Sequence, residues 1–200
     1  MAVIGYPNRK ATTTRIKQTA DNHMGRGMSL EKDLNDSNLY YRETDRALIH
    51  KKPTPIQVVK VDYPARNAAK ITEAYYKTPS TTDYNGIYRG KPIDFEAKET
   101  KLKTSFPFKS IHPHQIEHLK KVLHHGGIGF FIIRFTTLDE TYLVDAGILI
   151  SMYCDEESKS ISYTKVKECG SLIRQSLTPR LCYLDNVDAL YFKKENTDGK

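Results

Sequence analysis

An almost unbroken apolar segment, Ile128 to Phe135, constrains the fold of this chain more than any other feature. A strand whose two faces are both apolar is typical of the centre of a sheet that is covered on both sides. The segment follows Gly126-Gly127, which should end a helix that begins at Pro113 and runs to His125. The residues Thr141 to Val144 come soon enough afterwards to form its hairpin partner. We therefore predict a buried central strand preceded by a helix.

A second strand, Ile93 to Lys98, alternates apolar and polar side chains. Successive side chains in a strand point to opposite faces, so Asp94, Glu96 and Lys98 form one polar row, with neighbours about 6.6 Å apart at a rise of roughly 3.3 Å per residue. Asp83 lies in the loop-like segment that precedes this strand. Brought alongside the row, Asp83 would complete a site for a hard divalent cation with a lysine beside it, which suits cleavage of a phosphodiester.

The chemistry of such a site follows from the ligands. Mg²⁺ prefers oxygen ligands and usually keeps several waters, and Asp83 and Glu96 could hold it. The cation would lower the pKa of a bound water and neutralise charge on the attacked phosphate. Lys98 could stabilise the negative charge of the transition state, or it could orient or deprotonate the water. The sequence leaves these two roles of Lys98 open.

The Glu-x-Lys pattern itself is common in a charged chain and occurs here three times. Glu99-Thr100-Lys101 should lie beyond the end of the strand, and Glu157-Ser158-Lys159 lies in a polar, loop-like run. Only Glu96-Ala97-Lys98 sits on an alternating strand with an apolar opposite face. Ordinary solvated strand charges remain the alternative interpretation of this pattern.

Polar residues of the predicted helix allow two interpretations each. Gln115 shares the core-facing side with Leu119 and Val122, so its amide either reaches a metal or water or is hydrogen bonded as a boundary residue. His114 and His118 have the spacing of a zinc pair. They also belong to a polar face of the helix, and we therefore expect them to be exposed to solvent.

The charge distribution points to a polyanionic partner. The net charge is +7, and residues 1–110 hold 20 Lys and Arg against 12 Asp and Glu. A merely soluble basic surface is the alternative. The mean hydropathy is −0.58, and no secretory signal or membrane span is visible, so a soluble cytoplasmic protein is expected. The wide spacing of Cys154, Cys169 and Cys182 argues against a disulfide framework and favours buried, reduced thiols.

Two segments look peripheral to the core. Residues 1–28 are basic and lack apolar periodicity, which predicts a flexible arm that orders on binding. The run Ala65 to Ala74 has helical propensity but an apolar face made mostly of alanine. It either projects from the body or forms a short surface helix that lies flat on the domain.

The remaining elements near the candidate site can be predicted from caps and β-branched residues. Ser29 is a suitable N-cap for a helix through about Glu43. Ala47 to His50 and Ile56 to Asp62 should be strands. Asn85 to Tyr88 should pair with Ile93 to Lys98 in a hairpin.

Taken in order along the chain, several motifs resemble those of RecU-type Holliday junction resolvases, within the broader PD-(D/E)xK nuclease group. The resemblance is strong over residues 25–135 and weak in the C-terminal part. The matching segments are Gly25 to Glu31, His50 to Pro55, Ser80 to Gly86, Ile93 to Lys101, Lys103 to Pro107 and His114 to His118.

The resemblance implies an α/β fold with a restriction-endonuclease-like mixed central sheet flanked by helices. It implies one nuclease domain over residues 29–200, with a projecting stalk around 62–77 that engages the centre of the junction. It further implies a Mg²⁺-dependent homodimer, with Mn²⁺ as a substitute, that nicks four-way junction DNA symmetrically in recombination and repair. A contact with a recombinase is a further expectation.

The resemblance also assigns residues. Positions matching Thr81, Asp83, Glu96 and Gln115 hold the metal, and the position matching Lys98 stabilises the transition state. The stalk corresponds to the basic segment around Arg66 and Lys70. The residues that we expect to contact DNA are Arg26, Arg66, Lys70, Lys101 and Lys103. The rival hypotheses are a non-catalytic junction-binding or recombinase-regulating protein and a nuclease that acts on duplex DNA.

Overall fold

A computed structural model describes residues 29–65, 67–77, 79–155 and 157–192. The expected arm over residues 1–28, with Arg26, and the stalk residue Arg66 lie outside the described residues. Over the described ranges, no helix is long and apolar enough to cross a membrane.

Within the described ranges, the first six strands follow one another between the first two helices, and the later strands are interspersed with helices. The strands are β1 (Leu48–Lys51), β2 (Ile56–Asp62), β3 (Lys70–Tyr76), β4 (Tyr84–Tyr88), β5 (Lys91–Thr100), β6 (Ser105–Pro107), β7 (Ile128–Phe135), β8 (Glu140–Asp145), β9 (Ser160–Ser162) and β10 (Ser171–Leu172). The helices are α1 (Leu30–Glu43), α2 (Pro113–His124), α3 (Ala146–Tyr153), α4 (Tyr163–Cys169) and α5 (Tyr183–Val187).

A mixed sheet with the strand order β1-β4-β5-β7-β8-β10 forms the centre of the fold. The pairing of β5 with β7 is parallel, and β4–β5 and β7–β8 are antiparallel. Helices α1, α2, α3 and α4 pack against its strands. The prediction of a mixed central sheet flanked by helices is confirmed, and so is the hairpin of β7 with β8.

Strand β7 is buried along its whole length, as its sequence predicts. Its alternate side chains enter two different cores. Phe130 and Ile132 pack in the core that α1 and α5 cover, whereas Phe131 and Ile133 pack in the core that α2 and α3 cover. A polar residue at any of these four positions would enter a close-packed interior, which explains the unbroken apolar sequence.

The hairpin of β4 and β5 is confirmed, but β5 is longer than predicted. The turn places Arg89 and Gly90 at φ values of 48° and 75°, as two-residue hairpin turns require. Because β5 continues to Thr100, Glu99 lies inside the strand, and the expectation that it lies beyond the end was wrong. Its Oε1 accepts the Leu30 backbone N–H at 2.7 Å, which ties β5 to the start of α1.

The prediction of a helix over Ala65 to Ala74 was wrong. Lys70–Tyr76 forms β3 instead, which pairs antiparallel with β2 in a separate two-stranded sheet. Helix propensity is a weak prior, and the β-branched strand β2 supplies hydrogen-bond partners that override it. Every described residue of β3 is exposed. The hairpin begins at Ile56, earlier than the stalk boundary expected at residue 62.

The cysteines carry no disulfide among the described residues, as their spacing predicts. Only Cys182 is buried, however. Cys154 is exposed and Cys169 is partly exposed, so the expectation of buried thiols holds at one position of three.

Asp33 forms a buried ion-pair cluster that joins three distant parts of the chain. It is on α1, and its Oδ2 lies 2.7 Å from Nη1 of Arg134 on β7. Its Oδ1 lies 3.3 Å from Nε of Arg180, which precedes α5. The carboxylate is 7% exposed, so little water can replace it as a partner of Arg134.

Asp33→Ala should therefore reduce the free energy of unfolding by about 3–5 kcal/mol, because removing one member of a buried ion pair is strongly destabilising. Urea denaturation measures this change. Glu168→Ala is the control, since Glu168 is exposed and pairs only at the surface with Lys165. Equal stability of the Asp33 and Glu168 variants would contradict a structural role for the cluster.

Candidate active site

The candidate residues meet in a cleft between the sheet and the first turn of α2. Asp83 immediately precedes β4, Glu96 and Lys98 lie on β5, and Gln115 lies on α2. The cleft has a volume of about 540 Å³ and is lined by Tyr76, Lys77, Pro79, Asp83, Lys98, His112, Pro113, His114 and Gln115. Of the polar row predicted on β5, Lys98 lines this cleft.

Glu96 lies beneath the rim of this cleft and has no solvent-exposed surface. Its Oε2 accepts the backbone N–H of Asp83 at 3.0 Å, and its Oε1 lies 2.8 Å from Nζ of Lys98. Burial raises the pKa of Glu96 to about 8, Asp83 adds to the rise, and Lys98 opposes it. A buried carboxylate held against a second one is an arrangement that a divalent cation would relieve.

Gln115 is buried, and its Oε1 accepts the backbone N–H of His112 at 2.9 Å. This bond belongs to a capping box at the start of α2. Of the two interpretations of Gln115, the hydrogen-bonded boundary residue is the one observed. An amide oxygen has two lone pairs, so the same atom can also face a cation in the cleft.

Thr81 is less well placed than the other three proposed ligands. Its side chain is partly buried, and its Oγ1 lies 3.4 Å from the backbone oxygen of Thr82. It lines a neighbouring recess of about 220 Å³, to which Asp83 also contributes. The structure thus brings Asp83, Glu96, Lys98 and Gln115 together and leaves Thr81 at the margin.

The donors present fit a magnesium-type site better than a zinc site. Within the described ranges, no group of three or more His, Cys, Asp and Glu side chains is arranged to hold a metal. A cation in the cleft would therefore rely on the carboxylates of Asp83 and Glu96, neutral oxygens and water, which is how Mg²⁺ is commonly bound.

The two helix histidines were predicted to be exposed to solvent, and this prediction was wrong. His114 is partly buried and lines the cleft. The side chain of His118 is 23% exposed, and its Nε2 lies 3.1 Å from Oδ1 of Asp94. Asp94 had no assigned role, and it also contacts Lys52 and the hydroxyl of Thr82. The sequence placed Asp94 only on the polar face of its strand, and these long-range partners leave no signal in the sequence.

A second recess, of about 270 Å³, adjoins the cleft on the side of α1. Asp83 and Lys98 line it, together with Glu31 and Glu99. Glu31 lies 2.5 Å from Nζ of Lys51 through its Oε1. Sequence reasoning did not select Glu31, although it lies within a matching motif.

The expected DNA-binding lysines are surface residues. Lys70 is exposed on β3, and Lys101 and Lys103 are exposed in the loop that follows β5. The structure therefore leaves all three side chains free to contact a large ligand.

Comparison with known proteins places this geometry in context. The family model described as "Recombination protein U", RecU, matches residues 25–189. A Holliday junction resolvase RecU from Shouchella clausii is 51% identical and covers 98% of this chain and of the relative. One from Oceanobacillus iheyensis is 55% identical and covers 94% of this chain and 100% of the relative.

A solved structure of Hjc, a Holliday junction resolvase from Archaeoglobus fulgidus, is also similar. It is 8% identical, with a TM-score of 0.42, and the match covers 70% of this chain and 93% of that chain. A likeness this distant supports no further inference.

Glu96→Gln should make the stability of the metal-free protein less dependent on pH. The folded protein keeps the Glu96 proton up to a pKa of about 8, whereas the unfolded chain loses it near the ordinary value of 4.5. The free energy of unfolding of the parent should therefore fall as the pH rises between these values. Between about pH 5 and about pH 9, the free energy of unfolding of the variant should rise by a few kcal/mol relative to that of the parent.

Urea denaturation in the presence of a chelator, across this pH range, measures the effect. Glu168→Gln, a change at an exposed carboxylate, should keep the pH profile of the parent. Parallel profiles for the parent and Glu96→Gln would show that Glu96 ionises as an ordinary carboxylate.

Proposed function

Because the chain belongs to the RecU (recombination protein U) family, we propose that it is a structure-selective endonuclease that resolves Holliday junctions by metal-dependent, symmetric nicking in DNA recombination and repair. The observation that carries this proposal is the buried Glu96 carboxylate, placed between Asp83 and Lys98 at a cleft. Two carboxylates and a lysine at one cleft are the groups that phosphodiester hydrolysis requires.

We assign the metal to Asp83, Glu96, Gln115 and Thr81. Bound Mg²⁺, or Mn²⁺ in its place, would neutralise charge on the phosphate and acidify water. Glu96 must give up its proton to take part, and Lys98, 2.8 Å away, favours its ionised form. Asp83 is held in place by its own backbone, whose N–H binds Glu96.

Lys98 is the residue we assign to transition-state stabilisation. Its side chain is 18% exposed, so its ammonium group is partly shielded from water yet reaches the cleft. An ammonium group in such a site interacts more strongly with developing negative charge than it would in bulk water. In the metal-free protein its partner is Glu96, and a bound cation would interact with the same carboxylate.

The hairpin of β2 and β3 is our candidate for the stalk that enters the junction centre. Its exposed side chains include Val59, Ile71 and Tyr75, which can pack against bases that a four-way junction leaves accessible. Tyr76 and Lys77, at its base, line the active-site cleft. DNA around the hairpin would thereby be delivered to the catalytic groups.

The assembly we propose is one nuclease domain over residues 29–200 that acts as a homodimer in the cytoplasm. A two-fold protein presents two equal sites to two related DNA strands, which accounts for symmetric nicking. The lysines at positions 101 and 103 would bind phosphates and position the DNA without reading its bases. A contact with a recombinase belongs to the same proposal.

The nuclease assignment predicts that Lys98→Ala and Asp83→Ala each lower the rate of nicking of a synthetic four-way junction in Mg²⁺ by about 10²–10³-fold or more. Gel assays of a labelled junction measure the rate, and binding in Ca²⁺ should survive better than cleavage. Lys165→Ala, at an exposed residue of α4, is the control.

Other results would select the rival functions. Junction binding by the parent without nicking in Mg²⁺ or Mn²⁺ would favour a non-catalytic junction-binding protein. Equal cleavage of linear duplex and junction would favour a duplex nuclease. Nicking that persists unchanged in both variants would overturn the site assignment.

The stalk assignment predicts that Lys70→Ala combined with Arg66→Ala weakens junction binding while the protein stays folded. Each lost phosphate contact should reduce the slope of log affinity against log salt by about 0.9, which amounts to about 1.8 if both residues contact phosphates. Fluorescence anisotropy at several salt concentrations measures this slope. The matched control combines Lys165→Ala with Lys167→Ala on α4. Loss of folding in the stalk variant would show that this segment belongs to the core.

A further inference from the structure

A second polar cluster lies beside the proposed metal site, and it consists of Lys52, Thr82, Asp94 and His118. At its centre is Asp94 on β5, which is 7% exposed. Its Oδ2 lies 3.1 Å from Nζ of Lys52, and its Oδ1 lies 3.1 Å from Nε2 of His118 and accepts a hydrogen bond from the hydroxyl of Thr82. We call these residues the Asp94 cluster.

Three members of the Asp94 cluster are close in the chain to a proposed metal ligand. The fourth, Lys52, contacts the loop that carries Thr81 and Asp83. Thr82 stands between Thr81 and Asp83, and Asp94 precedes Glu96 by one strand repeat on the same face. His118 follows Gln115 by one turn of α2. The cluster therefore touches all three segments from which the ligands come.

Lys52 strengthens the link to the ligand-bearing loop in two ways. Its Nζ lies 3.1 Å from Oγ1 of Thr82, and its backbone N–H donates to the backbone oxygen of Asp83 at 2.8 Å. Thr82 and Asp83 are therefore held both by the side chain and by the main chain of Lys52. Since the side chain of Lys52 is 19% exposed and its ammonium group is paired with Asp94, it is poorly placed to bind a DNA phosphate.

The contacts of Asp94 are made within the protein, mostly through one oxygen. A carboxylate accepts about four contacts through its lone pairs. Oδ1 is contacted by Lys52, Thr82 and His118, and Oδ2 is contacted by Lys52. Those contacts engage Oδ1 fully and tie the carboxylate to Lys52, Thr82 and His118, which is the arrangement of a group that orients its neighbours.

We propose that Asp94 is a positioning residue that fixes the spacing of the Thr81–Asp83 loop, β5 and α2, so that their oxygens converge before a cation binds. The inference rests on the proposed metal site. Groups that orient ligands from outside the coordination sphere typically change metal affinity by about 10–100-fold. Without the Asp94 carboxylate, Lys52 would lose its acceptor and His118 the carboxylate that it faces, and the loop could move away from β5.

The test compares Asp94→Asn and Thr82→Val with the parent in the full chain. Free Mn²⁺ is followed by electron paramagnetic resonance during a titration, and the Mg²⁺ concentration for half-maximal junction nicking is measured separately. Both variants should shift the two midpoints upwards by about 10–100-fold. The maximal rate at saturating metal should largely recover, and junction affinity in Ca²⁺ should be unchanged.

Glu168→Gln is the matched carboxylate-to-amide control and should leave both midpoints in place. Thr82→Val removes the hydroxyl contacts with Asp94 and Lys52 without changing charge, so it keeps the test valid if Asp94→Asn fails to fold. Unshifted midpoints in both variants would overturn the inference, and so would a loss of maximal rate with unchanged Mn²⁺ affinity. If the parent does not nick junctions but the variants still bind Mn²⁺ more weakly, the proposed function fails and the positioning role stands.

Discussion

The parallel pairing of β5 with β7 is the constraint on which the rest of the structure depends. Its register places Glu96 beside Phe131 and Asp94 beside Gly129. The polar row of one strand therefore lies against the apolar core of the other, and this is why Glu96 is removed from water. Gly129 leaves room for the side chain of Leu119 from α2, which could not approach a larger residue as closely. The helix can thus lie close enough for its polar residues to reach Asp94.

The sequence predicted those elements whose pattern reflects burial. The apolar run of β7 and the alternation of β5 identified the two central strands, because the polarity of each residue there reflects the face of the sheet on which it lies. The same reasoning failed for Ala65 to Ala74, since helix propensity is a weak prior even for alanine and the preceding strand β2 offered pairing partners. It also failed for His118, whose partner is 24 positions away and is fixed by strand register rather than by local pattern.

The site residues came from two different kinds of information. Strand context alone selected Glu96 and Lys98, and their observed contact agrees with a shared face. Helix register drew attention to Gln115, whereas resemblance to a family alone selected Thr81, and the geometry shows Gln115 in the cleft and Thr81 beside it. Periodicity can place a residue on a face. It cannot show which segments the fold brings together, and this is how Asp94 was left without a role.

The exposed hairpin of β2 and β3 has a consequence for how such a protein can change over evolutionary time. None of its described residues belongs to either core. Substitutions there neither open a cavity in the core nor leave a buried polar group without a hydrogen-bond partner. The packed domain should therefore tolerate them. The shape of the projection and the durability of the domain are therefore separable properties, and selection can alter what the hairpin touches while the catalytic framework stays the same.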